Sequence, residues 1–164
     1  MLLGVMLMNI EHLVLKELAS AETEQLLPCL EALDTYHNAV SVHFSGNYPA
    51  RANSVKLAEF KQSLNNGKSK IAGAFQKSDL LGFCKIDFFE SHGKLDYLVV
   101  LPGARGRGLG DMLMQWALAE FTRHGLGQIE VKVVYGNDAV AFYEKYGFRM
   151  NAQIMVTKRG VSHE

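Results

Sequence analysis

The sequence predicts a mixed α/β fold in which a central, mostly antiparallel mixed sheet is flanked by helices. Three observations lead to this class. Apolar residues recur at helical spacing in two segments of the first half, residues 22–37 and 54–64. The middle of the chain changes to β-rich runs joined by short turns, and after Gly108 helical and strand-like patterns alternate. A chain of 164 residues fits one domain, and we expect residues 1–164 to form it.

Three β-rich runs in the middle of the chain predict antiparallel pairing. They are "SKIAGAFQ" (69–76), "LLGFCKIDFFE" (80–90) and "KLDYLVVL" (94–101). The turn signals "KSD" and "SHGK" separate them. Connections this short join only antiparallel neighbours, because a parallel crossover needs about a dozen residues or more. The runs therefore predict a three-strand meander.

The remaining elements are predicted on both sides of this meander. The run "EHLVLKEL" alternates as a first strand, and Ser54 is a suitable N-cap for the second helix. After Gly108, apolar residues on one face predict a helix that extends to Phe121 and ends at "HGLGQ". The tail then predicts a strand at 129–135, a short helix at 137–147 and a final strand at 148–158.

Composition and charge exclude several classes of partner. Lys+Arg and Asp+Glu number 17 each, so no global positive field points to nucleic acid or to an anionic membrane. The apolar start "MLLGVMLMNIEH" lacks a basic region and is too short to span a bilayer, and translation from Met8 would remove part of it. We therefore expect a cytoplasmic protein that binds neither nucleic acid nor membrane. Any anion site in it must be local.

The two cysteines, Cys29 and Cys84, lack the spacing of metal ligands. Cys84 lies within a predicted strand. We expect both to be buried free thiols in a reducing compartment, and we predict no metal site.

The stretch "PGARGRGLGD" (102–111) places four glycines and two arginines between a predicted strand and a predicted helix. A helix begins with N–H groups that lack an intrahelical acceptor, and its macrodipole adds about half a positive charge there. Glycines let an anion approach this backbone, and arginines add donors that suit phosphate oxygens. The stretch is neither a Walker A loop, which needs Gly-Lys-Ser/Thr, nor the fingerprint G-x-G-x-x-G. It predicts a local phosphate site, the alternative being a tight turn with solvated arginines.

A second motif, "AVAFYEKYGF" (139–148), follows later in the chain. Together the two motifs resemble the GNAT superfamily of N-acyltransferases, whose pyrophosphate signature is Q/R-x-x-G-x-G/A. Arg105, Gly108 and Gly110 match its three defined positions, and the resemblance covers at least residues 95–148. It implies the GNAT fold and an N-acetyltransferase. Such an enzyme transfers an acetyl group from acetyl-CoA, or another acyl group from its CoA ester, to a primary amine by direct attack and without a metal.

The resemblance also implies where acetyl-CoA binds. The pantetheine arm would lie beside the strand that ends in Leu98, Val99 and Val100. The pyrophosphate would contact a turn of consecutive residues, Arg105, Gly106, Arg107, Gly108, Leu109 and Gly110. One departure concerns Asn137, because the family pattern N-x-x-A places the asparagine one residue earlier, where this chain has Gly136. Asn137 either reaches the pantetheine arm or is only the N-cap of the last helix.

Three catalytic tasks follow from direct attack of an amine on a thioester. The resemblance assigns Tyr143 as the acid that protonates the departing thiolate, the alternative being an aromatic side chain packed near the sheet. The Val100 N–H is the candidate donor to the oxyanion. Asp96, which we expect on the same strand and face as Leu98 and Val100, is the first candidate for the base, and a solvated strand residue is its alternative. Three residues of the first helix could also reach an acceptor: Glu31, Asp34 and His37.

The acceptor is predicted only as a class, a small-molecule or peptide amine. We expect its specificity to come from the first two helices and the loop between them, which contains His43, Phe44, Tyr48 and Arg51. Two other functions stay open: a catalytically silent acyl-CoA-binding or regulatory module on the same fold, and a protein that binds ATP or a dinucleotide at the glycine turn. Members of the family often dimerise through sheet edges or C-terminal strands, so a homodimer is open as well.

Overall fold

The computed structural model describes residues 12–160 and contains a five-stranded sheet in the order β1-β2-β3-β4-β5. The strands are Leu13–Glu17 (β1), Ser69–Gln76 (β2), Asp79–Phe88 (β3), Gly93–Val100 (β4) and Ile129–Val131 (β5). The first four pair antiparallel, and β4 pairs with β5 in parallel. The predicted meander and the mixed α/β class are therefore confirmed. The expectation about Met8 lies outside the described residues.

Within this range, four α-helices flank the sheet: Leu27–Val40 (α1), Asn53–Asn65 (α2), Leu109–Arg123 (α3) and Val140–Lys145 (α4). A 3-10 helix, Ser20–Leu26, leads directly into α1. Pro28 fits the first turn of α1, where its missing N–H has no helical acceptor to lose. The prediction of Ser54 as an N-cap is wrong, because α2 already begins at Asn53. None of the helices in residues 12–160 has both the length and the apolar character that crossing a bilayer requires.

The two faces of the sheet are covered by different helices. α3 places Leu113 and Phe121 over one face. α1 and α2 place Leu30 and Phe60 over the other. All four side chains are at most 3% exposed, and burial of each contributes about 1.5–3 kcal/mol. This packing fixes α1 and α3 on opposite sides of β4.

β4 and β5 diverge soon after they pair. They pair over three residues each, Gly93–Leu95 with Ile129–Val131. β5 ends there, so the predicted strand 129–135 is shorter than expected. β4 continues to Val100, and from Asp96 onward no strand within the described range lies along its outer edge. The divergence opens a cleft beside the second half of β4.

The open edge of β4 presents backbone donors. On the opposite edge, the Leu101 N–H just after β4 donates to the Leu81 carbonyl of β3 at 2.8 Å. Successive residues of an antiparallel strand direct their backbone groups to opposite edges. The N–H groups of Leu98 and Val100 therefore point into the cleft.

A β-bulge in β4 reorients Asp96. The register of β4 against β3 skips Asp96, which is the extra residue of the bulge. Beyond a bulge, the alternation of side chains between faces shifts by one residue. Leu98 and Val100 pack with the α3 core, whereas Asp96 contacts Lys85, whose ammonium lies 5.0 Å from the ring centre of Phe60 on the α2 side. The expectation that Asp96 shares a face with Leu98 and Val100 is wrong.

The predicted final strand, residues 148–158, does not form, and that expectation is also wrong. Its apolar side chains Met150, Ile154 and Val156 are exposed. A strand needs a neighbour that satisfies its backbone hydrogen bonds, and β5, the last strand of the sheet, is only three residues long. The segment instead approaches the loop after α1, where Lys158 donates to Asn47.

Candidate active site

The glycine turn between β4 and α3 is open on its outer side. It begins with the 3-10 helix Pro102–Ala104 and ends where α3 starts. Gly106 and Gly108 have φ angles of 80° and 79°, in the left-handed region that favours glycine. A Cβ at either position would meet no atom within 4 Å. An anion can therefore approach the amides of this turn directly.

The N-terminus of α3 adds donors to the turn. The Met112 N–H donates to the Gly108 carbonyl at 3.0 Å. The N–H groups of Leu109, Gly110 and Asp111 precede it and have no acceptor within the helix. Because α3 is 15 residues long, its dipole adds about half a positive charge at this end. Free donors and partial positive charge thus coincide with the open glycine backbone.

The two arginines of the turn diverge. The Arg105 guanidinium lies 5.1 Å from the centre of the Tyr36 ring, a cation–π contact beside the cleft. Arg107 donates instead to Gln76 Oε1 at 3.1 Å, in an exposed contact. Of the two, Arg105 is the one placed to bind a phosphate in the cleft.

A cavity of about 400 Å³, here called the turn cavity, lies between the glycine turn, the end of β4, α1 and α4. Tyr143 lines it. So do all the predicted binding residues except Arg107, namely Leu98, Val99, Val100, Arg105, Gly106, Gly108, Leu109, Gly110 and Asn137. The fold therefore brings the two sequence motifs to one cavity.

A second cavity of about 760 Å³, here called the sheet cavity, lies on the α1 and α2 side of the cleft. Asp96 lines this cavity and not the turn cavity. Four residues line both: Leu33, Leu98, Asn137 and Tyr143. The two cavities adjoin at these residues, which we call the junction.

Tyr143 is held at the junction by its aromatic neighbours. Its ring packs edge-on against Phe142 and Phe148, with centroids 5.6 and 5.8 Å away. Burial, with a smaller contribution from Cys84, raises the pKa of Tyr143 to about 12. The phenol is therefore protonated at neutral pH and can donate a proton.

Tyr36 on α1 belongs to the site although the sequence analysis missed it. Its hydroxyl donates to Asp138 Oδ1 at 2.7 Å and lies 3.2 Å from Asn137 Oδ1. The hydrogen bond to Asp138 raises the pKa of Tyr36. Asn137 Oδ1 also accepts the Ala139 N–H at 2.9 Å, just before α4. Asn137 thus orders the entry to α4 and lines both cavities, as a contact with the pantetheine arm would need. The interpretation of Asn137 as the N-cap of the last helix is wrong, because Ala139 holds that position.

Asp111, also missed, ties α3 to α4. Its Oδ1 accepts one hydrogen bond from Lys145 Nζ at 2.7 Å and another from the Tyr146 hydroxyl. The Lys145 contact lowers the pKa of Asp111. Because α3 starts at the glycine turn and α4 contains Tyr143, this brace sets the spacing between the turn and Tyr143.

Ion pairs occupy the carboxylate of Asp96. Its Oδ2 accepts a hydrogen bond from Lys85 Nζ at 2.7 Å, and its Oδ1 lies 3.4 Å from Lys94 Nζ. Lys85 is 4% exposed and also donates to Asp87 Oδ1 at 2.5 Å. Removal of the Asp96 charge would leave the buried Lys85 with one carboxylate, Asp87, in place of two. The geometry gives Asp96 a structural role.

The three candidates for the base on α1 differ in position. Glu31 is exposed and lines neither cavity. Asp34 lines the sheet cavity, where Lys56 Nζ lies 3.6 Å from its Oδ1. His37 lines it too, and its ring packs against the Tyr48 ring with centroids 5.1 Å apart. Asp34 and His37 are therefore the two that reach the cavity.

Cys29 and Cys84 are both buried and free, as predicted. Burial raises the pKa of Cys29 to about 11, and it raises the pKa of Cys84 as well. Neither is therefore a reactive thiolate at neutral pH. In the part of the chain that the structure describes, no group of three or more His, Cys, Asp or Glu side chains is arranged to hold a metal ion.

Known structures share this fold. A GCN5-related N-acetyltransferase from Ralstonia eutropha has a TM-score of 0.75 at 17% identity, covering 90% of this chain and 99% of that one. PaiA N-acetyltransferase from Thermoplasma acidophilum, in complex with coenzyme A, has a TM-score of 0.73 at 20% identity, covering 87% and 92%. A protein from Clostridium acetobutylicum described as a predicted acetyltransferase, solved with acetyl-CoA, has a TM-score of 0.69 at 13% identity, covering 89% and 96%.

At these identities, structural likeness shows the fold alone. None of the curated proteins compared with this chain matches it. The family model described as an acetyltransferase (GNAT) domain, however, matches residues 40–163, which is most of the chain. The chain therefore belongs to the GNAT acetyltransferase family, which confirms the resemblance and the predicted enzyme class, an acyltransferase.

Proposed function

We propose that this chain transfers an acetyl group from acetyl-CoA to a primary amine of a small molecule or peptide, by direct attack of the amine on the thioester. The observation that carries the proposal is the junction of two cavities at Tyr143, beside the open edge of β4. A donor can enter from one side and an acceptor from the other. Two of the compared structures contain CoA or acetyl-CoA, which supports this choice of donor.

The residues of the turn cavity fit the phosphates and the pantetheine arm of acetyl-CoA. The open backbone at Gly106 and Gly108, the free N–H groups that begin α3 and the Arg105 guanidinium would hold the pyrophosphate. The backbone of Leu98 would pair with the amides of the pantetheine arm, as an added strand would. Arg107, which contacts Gln76, would contribute only a nearby positive charge.

Acetyl-CoA supplies the activated acyl group, and the chain's own residues handle charge and protons around it. The Val100 N–H points into the cleft and would donate to the oxygen on which negative charge develops. Tyr143, protonated at neutral pH, would give its phenol proton to the departing thiolate and later regain a proton from solvent. The proposed oxyanion donor and the proposed acid both line the turn cavity.

The sheet cavity would hold the acceptor. Its volume of about 760 Å³ lies within the usual range for small-ligand sites. Of the four loop residues that the sequence analysis linked to specificity, Tyr48 and Arg51 line it, whereas His43 and Phe44 do not. Tyr48 and Arg51 are therefore the residues of this loop to vary in a search for specificity.

We also propose a reducing cytoplasm as the place of action, without nucleic-acid or membrane partners. The free thiols of Cys29 and Cys84 support a reducing compartment. Because acidic and basic residues are equal in number, the protein has no net charge that would attract polyanions. A homodimer stays open, and the exposed apolar residues Met150 and Ile154 are the place to look for its interface.

A panel of amines tests the proposed reaction. The protein would be incubated with acetyl-CoA and one amine at a time, drawn from amino acids, peptides with free N-termini, polyamines and aminoglycosides. We expect at least one amine to raise CoA thiol release well above the hydrolysis measured without an acceptor. Mass spectrometry should then find the acetyl group on that amine. If no amine accelerates thiol release, the proposal fails.

A further inference from the structure

The carboxylates of the sheet cavity are already paired with cations. Four carboxylates of the described residues line this cavity, and each contacts a basic side chain. The pairs are Asp34–Lys56 (3.6 Å), Glu59–Arg51 (2.7 Å), Asp87–Lys85 (2.5 Å) and Asp96–Lys85 (2.7 Å). A carboxylate that takes a proton from a substrate loses the charge that holds its ion pair, so each of these four would act as a base at the cost of a cation contact. A base outside these pairs avoids that cost.

His37 occupies the position that such a base requires. It lines the sheet cavity, and none of the side-chain hydrogen bonds within residues 12–160 involves its ring. It follows Leu33, a residue of the junction, by one helical turn. Side chains four residues apart on a helix have Cβ atoms about 5–6 Å apart. The imidazole therefore stands on the acceptor side, one turn of α1 from the junction where Tyr143 lies.

We propose that His37 is the general base of the acetyl transfer, an inference that rests on the proposed function. A free ring nitrogen of His37 accepts a proton from the ammonium form of the acceptor. One N–H bond of the ammonium breaks, one N–H bond of the imidazolium forms, and the lone pair of the amine becomes available for attack. The imidazolium then returns its proton to solvent through the open cavity.

The surroundings of His37 favour the neutral imidazole that this role needs. Burial lowers the pKa of His37. The negative charge of Asp34 on the same helix raises this pKa, and the positive charge of Lys56 on α2 lowers it further. Burial is the largest of the three effects, so the pKa of His37 lies below its usual value. The rings of Tyr36 and Tyr48 are its aromatic neighbours. The imidazole can thus accept a proton at neutral pH.

This assignment separates His37 from Asp96, the base that the sequence analysis favoured. Asp96 pairs with Lys85 and Lys94 at the bulge of β4. All three residues line the sheet cavity, so these ion pairs fix its wall at the bulge. Loss of its charge would leave the buried Lys85 with one carboxylate in place of two, so Asp96→Asn should lower stability. Loss of His37 should instead change the dependence of the rate on pH.

The test compares His37→Gln with His43→Gln, with acetyl-CoA and the best acceptor of the amine panel. His43 is the matched control, because it stacks on Tyr135 and lines neither cavity. At pH 7 we expect His37→Gln to lower kcat by about 100-fold, the lower end of general-base effects, and His43→Gln to change it by about twofold at most. The thermal shift induced by acetyl-CoA should be the same in both variants and in the wild type, which reports an intact fold and donor site.

The pH dependence separates a base from a packing role. Without a base, the rate of the variant depends on the fraction of the acceptor that is already a free amine. This fraction rises about tenfold per pH unit below the pKa of the amine. The deficit of His37→Gln should therefore shrink by about tenfold per pH unit between pH 7 and pH 9. A packing defect would give a deficit that does not depend on pH.

Three results would overturn this inference and leave the proposed function intact. His37→Gln could keep about half or more of the wild-type kcat at pH 7, or show a deficit that stays constant from pH 7 to pH 9. An NMR titration of the wild type could show His37 protonated at pH 7, which is informative even if the variant does not fold. A wild-type protein that acetylates no amine of the panel would overturn the proposed function, and the role of His37 with it.

Discussion

Tyr143→Phe is expected to lower kcat by about 100-fold or more, while the affinity for acetyl-CoA stays close to the wild-type value. The substitution removes the phenol proton and keeps the ring, so the contacts with Phe142 and Phe148 survive. Steady-state assays with the best amine measure the first quantity, and calorimetric titration of acetyl-CoA measures the second. Since burial raises the pKa of Tyr143 to about 12, its titration should cause no fall in the wild-type rate between pH 6 and pH 10.

Tyr146→Phe is the matched control, because it removes a hydroxyl from the end of the same helix. That hydroxyl contacts Asp111 and lines neither cavity, so we expect a much smaller change in kcat. A Tyr143→Phe protein as active as the wild type would contradict the assignment of the acid. A wild type that binds acetyl-CoA but turns over no amine would favour the silent binding module.

Gly108→Ala is expected to weaken acetyl-CoA binding by about tenfold or more and to lower the melting temperature. The φ angle of Gly108 is 79°, where an alanine costs about 1–2 kcal/mol. In a chain of this size, that cost corresponds to a shift of about 2–8 °C. The added Cβ would also project into the open space in which we propose the pyrophosphate binds. Calorimetric titration and a melt without ligand measure the two effects.

Gly110→Ala is the control for this substitution. Gly110 lies within α3 without a left-handed φ, and a Cβ there would touch the Phe142 ring at an ordinary 3.5 Å. Alanine is favoured over glycine inside a helix by about 0.5–1 kcal/mol, and the GNAT signature accepts either residue at this position. We expect unchanged or higher stability and nearly wild-type affinity. If Gly108→Ala binds acetyl-CoA as tightly as the wild type, the pyrophosphate does not lie on this turn.

Features set by local chemistry could be predicted from the sequence. The short connections "KSD" and "SHGK" allow only antiparallel neighbours, and the meander follows from them. The glycine turn follows in the same way, because Gly106 and Gly108 adopt backbone angles that other residues avoid. The order of the two motifs then sufficed to predict the fold family.

Features set by contacts between distant residues could not be predicted. The bulge at Asp96 has no local signal, because the residues that follow it, "YLVV", are apolar or aromatic on both faces and hide the shift in alternation. Tyr36 meets Asp138, which lies 102 residues further along the chain. The segment 148–158 has the composition of a strand but forms none, because strand formation depends on packing against a neighbour as much as on propensity.

The central claim is that acetyl-CoA binds at the glycine turn, and a thermal-shift comparison tests it most directly. Acetyl-CoA, longer acyl-CoAs, ATP and NAD would be added at equal concentration. A ligand at about a hundred times its Kd stabilises the folded state by about 2.7 kcal/mol, which in a chain of this size raises Tm by about 5–10 °C. We predict a shift of that order with acetyl-CoA and smaller shifts with ATP and NAD. A shift with ATP or NAD and none with any CoA compound would contradict the account.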